Sequence, residues 1–121
     1  MTLEVVVADT SPVARRSLSR MVRGWGWHVV AEATDGLEAV RLARELEPDL
    51  LIVDVSRGSR GWTPLYDLLE SAGPLVVRLI DRPQDHASGA GVAVLKGVPA
   101  DRVRAVILDA LERRTGFGTE E

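Results

Sequence analysis

Leu3 to Ala8 is an apolar run broken only by Glu4, and it stops at Asp9. A run without polar alternation predicts a strand covered on both faces, as in a parallel sheet. In "TSPVARRSLSRMVRGWG" that follows, Ser11 suits an N-cap and Pro12 the first helical turn. Ala14, Leu18, Met21, Val22 and Trp25 form one helical stripe, and Gly24 and Gly26 end it. "WHVVAEA" (27–33) predicts a second strand, and Asp35 with Glu38 predicts a box-like cap on a helix over 35–47. Pro48 stops that helix. "DLLIVDV" (49–55) predicts a third buried strand carrying Asp54 at its end.

A Gly/Ser/Arg loop, "SRGSRG", then leads to a short helix expected around 64–71. "PLVVRLI" (74–80) reads as a fourth strand with an odd Arg78 in it, and Val92–Leu95 as a fifth. Val103, Val106, Ile107, Ala110 and Leu111 recur at i, i+3, i+4, i+7 and i+8, which predicts a helix over 99–114. The polar, Gly-containing residues 115–121 are expected to be a flexible tail. Strands alternating with helices predict an α/β, doubly wound, flavodoxin-like parallel sheet of strand order 2-1-3-4-5. In such a sheet ligands meet the carboxyl ends of the strands. Strands 1, 3 and 5 end at Asp9, Asp54 and Lys96, so the lysine is expected to face two carboxylates across one crevice.

Length and composition narrow the field. The 121 residues make one domain, with an ordinary 45% hydrophobic and 27% charged content. A net charge of −3 argues against direct nucleic-acid binding by this domain. No cysteine is present, which excludes disulfides and thiolate metal sites and fits a cytoplasmic protein. His28 and His86 are far apart, so no zinc site is expected. No apolar run approaches the roughly 20 residues that span a bilayer, and the first strand begins too early for a secretory leader. Fourteen arginines and a single lysine, Lys96, supply the positive charge.

"VVVADTSPVARRSL", "EATDGLEAVRLARELEPDLLIVDV" and "VLKGVPADRVRAVILDAL", in that order, resemble a response-regulator receiver domain of two-component signalling over residues 3–114. The resemblance implies that Asp54 matches the phosphoacceptor and Lys96 the lysine that contacts phosphoryl oxygens. It also implies that Asp9, with Asp54, belongs to a Mg²⁺ pocket. Phosphoryl transfer to a carboxylate requires cations, because nucleophile and target are both anionic.

The departures from the family pattern fall on the switch. Receivers carry two adjacent acids after strand 1, whereas this chain has Asp9-Thr10. They end strand 4 with Ser or Thr, where Leu79-Ile80-Asp81-Arg82 carries no hydroxyl. The switch aromatic three residues before the lysine is replaced by Ala93, and the usual Met-Pro after the acceptor strand is missing from "VSRGSRG". "RPQDHASGAGVA" is a poor fourth helix, expected to be shortened or disordered.

The expectation is therefore an atypical, degenerate receiver and not an enzyme: a regulatory protein-interaction module, largely independent of phosphorylation, with Mg²⁺ bound weakly or lost. No Gly-rich phosphate loop or nucleophile–base pair supports catalysis. Family analogy supplies its partners: an output domain, a histidine kinase at the first helix, or a second copy in a homodimer, with transcription regulation as the setting. Two alternatives stand beside it, a working phosphoacceptor at Asp54 served by a kinase and Mg²⁺, and a sensor of a small ligand. For Asp54 and Lys96 the plain reading is a static ion pair. Arg15, Arg16, Arg20 and Arg23 are read first as a solvated helix face and second as a surface for an acidic partner or DNA. Trp25 is read as core, and Trp62, in the loop beside the pocket, as a partner contact. One arginine among Arg78 and Arg82 reaching the pocket is set against an exposed arginine at the strand end.

Overall fold

The computed structural model describes residues 2–54, 73–81 and 91–119, with the side chains of the last helix described to Arg114. β1 (Glu4–Asp9), β2 (His28–Ala33), β3 (Leu50–Asp54), β4 (Leu75–Ile80) and β5 (Val92–Leu95) form one sheet in the order β2-β1-β3-β4-β5. Every pairing is parallel. The helices are α1 (Pro12–Gly24), α2 (Gly36–Leu46) and α3 (Ala100–Thr119). The predicted helix around 64–71, Trp62 and the segment 82–90 lie outside the described residues.

The unbroken apolar runs have a simple cause: alternate residues of the central strands enter two separate cores. Val5, Val7, Leu50, Ile52, Leu75 and Val77 pack with Leu18 and Val22 of α1 and with Val103 and Ile107 of α3. Val6, Ala8, Leu51, Val53 and Val76 pack with Ala39, Val40 and Ala43 of α2. Each Val, Leu or Ile among them, fully buried, contributes about 1.5–3 kcal/mol. With both faces covered, no solvent face remains for polar residues to occupy.

The helix ends follow their local chemistry. Ser11 accepts from the Ala14 N–H ahead of Pro12, and Asp35 accepts from the Glu38 N–H at 2.8 Å. Glu38 reaches back to the Thr34 N–H at 2.9 Å, completing the box-like cap. Glu47 closes α2 in the left-handed region, at φ 48°, and Pro48 follows. Trp25, half-buried at the end of α1, meets Trp27 edge-on at 5.0 Å, and Trp27 is in the core.

Three expectations are corrected. Arg78 is not exposed at a strand end; it is 4% exposed, inside β4. It alternates with Leu75, Val77 and Leu79 and so shares the face of Val76, toward α2. Arg15 does not belong to the solvated face of α1, because its guanidinium is bonded inward, whereas Arg16, Arg20 and Arg23 are exposed. α3 runs to Thr119, beyond the predicted end at 114, with no proline to interrupt it. The backbone of 115–119 is helical.

No helix among the described residues is long and apolar enough to cross a membrane.

Candidate functional site

Strand register builds the site. Asp9 is the last residue of β1 and Asp54 the last of β3, and the two are partners in the ladder. At the other side, Ile80 pairs with Leu95, and the Lys96 N–H donates to the Ile80 carbonyl at 2.8 Å. Asp81 and Lys96 therefore leave their strands at one level, as the first residues beyond β4 and β5. Gly97 follows with φ +91°, a turn that a side chain would strain, and it redirects the chain toward α3.

The Lys96 ammonium lies 2.8 Å from Asp54 Oδ1 and 3.2 Å from Asp81 Oδ1. Lys96 thus meets Asp54 directly, Asp9 stands beside Asp54 in the ladder, and Asp81 joins them. The sequence pattern registered Asp81 only as the absence of a hydroxyl. The available signal was positional: Asp81 follows its strand as Lys96 follows its own. Burial pulls the Lys96 pKa down, but pairing with Asp54 and then Asp81 outweighs it, and the ammonium is raised above its ordinary value.

Asp9 is buried at 4% exposure. Burial raises its carboxyl pKa above the usual value, the Ser11 N–H at 2.9 Å opposes this, and neighbouring Asp54 raises it further. Lys96 opposes the rise more weakly. Thr10 is exposed and Ser11 serves as the α1 cap.

A Mg²⁺ ion asks for about six oxygen ligands, with carboxylates and retained water among them. The donors here fit a tight site poorly. Asp9 accepts from Ser11 and is buried, Asp54 is engaged by Lys96, and the next position is a neutral threonine. Among the described residues no group of three or more acids and histidines is arranged to hold a metal.

A second polar network supports the first and was not foreseen. Arg15 donates to the Asp9 carbonyl at 3.0 Å and to Glu32 of β2 at 3.3 Å. The fully buried Ser19 donates to the other oxygen of Glu32 at 3.0 Å. The network ties α1 to the ends of β1 and β2. Arg15, named as a candidate partner contact, is held in this network with its side chain 18% exposed. Arg16 remains exposed on α1.

No family model matches the chain. The chain is 30% identical to TcrX of Mycobacterium tuberculosis, a transcriptional regulatory protein by name, over 95% of its own length and 52% of that protein. It is 43% identical over 56 residues to PdtaR of the same organism, also named a transcriptional regulatory protein, covering 46% of this chain and 27% of that one. The chain thus spans between 27% and 52% of the length of these curated relatives. Among solved structures, the signal receiver domain of NarL from Mycobacterium tuberculosis superposes with a TM-score of 0.77 at 26% identity, covering 92% of this chain and 97% of that one.

Proposed function

The chain belongs to the response-regulator receiver family of two-component signalling, and we propose that it serves there as a protein-interaction module whose contacts depend little on phosphorylation. One observation carries this reading. Lys96, the cation that would offset charge on a phosphoryl group, is already shared by Asp54 and Asp81.

Phosphoryl transfer to a carboxylate succeeds only where positive charge outweighs the repulsion of two anions. Among the described residues one ammonium is held by two carboxylates, Asp54 and Asp81, and a third, Asp9, stands beside Asp54 in the ladder. With Thr10 in place of an acid, Mg²⁺ binds weakly and compensates little. The described sheet, α1, α2 and α3 keep the family's arrangement, so their surfaces persist while the switch is idle.

The module carries out no catalysis of its own and works in the cytoplasm, without contacting nucleic acid or membrane. Its contacts are with an output domain of a longer protein or with a second copy, through α1 and α3. Arg16, Arg20 and Arg23 give α1 an exposed basic edge suited to an acidic partner, a histidine kinase included.

Intact-protein mass after incubation with a small phosphodonor and Mg²⁺ tests the reading, with Asp54→Ala beside the parent. The expected result is no adduct on either protein, and partner binding unchanged by Asp54→Ala. A phosphoryl adduct on the parent alone favours the second reading, a working acceptor. The 2.8 Å Asp54–Lys96 pair and the Asp9–Asp54 register support that alternative.

A further inference from the structure

We propose that Asp81 is the positioning residue that closes this pocket to phosphoryl groups, by holding the Lys96 ammonium and by placing a second negative charge beside Asp54. The proposal rests on the reading above and identifies the group responsible for it.

An ammonium has three N–H donors in a compact head. Two directions of the Lys96 head are taken, one by Asp54 Oδ1 at 2.8 Å and one by Asp81 Oδ1 at 3.2 Å. The two carboxylate oxygens consequently lie within about 6 Å of each other, where an added anion is opposed by both. Asp81 holds its place through backbone register: the Lys96 N–H on the Ile80 carbonyl fixes the ends of β4 and β5 together. The Asp81 side chain itself is 73% exposed. Substitution there disturbs little packing and so reads charge and pairing.

The reaction used to test this balances with phosphoramidate as donor. An Asp54 carboxylate oxygen forms a bond to phosphorus, the P–N bond breaks, and the already protonated nitrogen takes the electron pair and leaves as ammonia. No oxidant or reductant takes part, and Mg²⁺ is supplied as the divalent cation.

The experiment compares the parent with Asp81→Asn, Asp81→Thr, Asp81→Glu and the double variant Asp54→Ala/Asp81→Asn. Each is checked for fold by circular dichroism and then followed by intact mass in phosphoramidate and Mg²⁺. Asp81→Asn and Asp81→Thr are expected to gain adduct at least about tenfold faster than the detection limit the parent stays below, the scale of removing one partly screened unit charge. Asp81→Glu, which keeps the charge, is expected to match the parent, and the double variant to gain none. Folded Asn and Thr variants that label no faster than the parent overturn the role of Asp81 and leave the phosphorylation-independent reading standing. A parent that labels readily overturns that reading alone, because the ratio of variant to parent still measures Asp81. Adduct that persists in the double variant lies elsewhere than Asp54 and overturns the proposal.

Discussion

Asp9 and Asp54 are register partners across the β1–β3 ladder, so two carboxylates leave adjacent strands side by side. Asp9 bears the cost of this arrangement, because it is the more buried of the two. Its pKa is raised by burial and by Asp54 above the ordinary 3.8. A carboxyl with a raised folded-state pKa binds its proton more tightly folded than unfolded. Stability therefore falls as pH climbs from the unfolded value through the folded one, and the cost is complete above both.

Asp9→Asn is accordingly expected to stabilise the protein at neutral pH, by about 1 kcal/mol or a few degrees in Tm. The amide oxygen can still accept from Ser11. Thermal melts across pH check the sign: the advantage of the variant should shrink as pH falls and vanish below 3.8. An advantage that grows toward acid would show that Asp9 is stabilised as an anion.

Lys96 behaves in the opposite sense. Its pKa is raised by Asp54 and Asp81 against the pull of burial, so its stabilising contribution is full below the ordinary 10.5 and is lost as pH rises through the folded value. Lys96→Met is expected to lower stability at neutral pH by about 1 kcal/mol or less, since water screens a side chain 39% exposed. Denaturant melts at neutral pH and above 10.5 check this, and the gap between parent and variant should narrow in the alkaline series.

The fold was legible in the sequence wherever burial alone decides the residue. β1 and β3 are written as unbroken apolar runs because α1 and α3 cover one face of the sheet and α2 the other. The Asp35–Glu38 cap was equally legible, because it is made within five residues. Asp9, Asp54 and Lys96 followed from topology, since parallel strands bring their carboxyl ends to one edge. Asp81 did not, because its pairing with Lys96 depends on the register between β4 and β5, which apolar runs leave open. Arg15 was misplaced for a related reason. Helical periodicity puts it among solvated arginines, yet Glu32 and the Asp9 carbonyl, on other elements, draw it inward.

The Arg15–Glu32–Ser19 network yields the last prediction. Ser19 is fully buried and donates to Glu32, and Arg15 spans Glu32 and the end of β1. Glu32→Ala leaves the buried hydroxyl and the guanidinium without that carboxylate, a loss of about 1–3 kcal/mol. Ser19→Ala should cost less, because removing the hydroxyl also removes the buried group that must be satisfied, while Glu32 keeps Arg15. Arg16→Ala, on the exposed edge of the same helix, should change stability by no more than about 0.5 kcal/mol. Equilibrium denaturation of the three variants checks the order, and a double-mutant cycle between Arg15 and Glu32 measures their coupling. Equal costs for Glu32→Ala and Arg16→Ala would mean that the inward network contributes nothing beyond an ordinary surface contact.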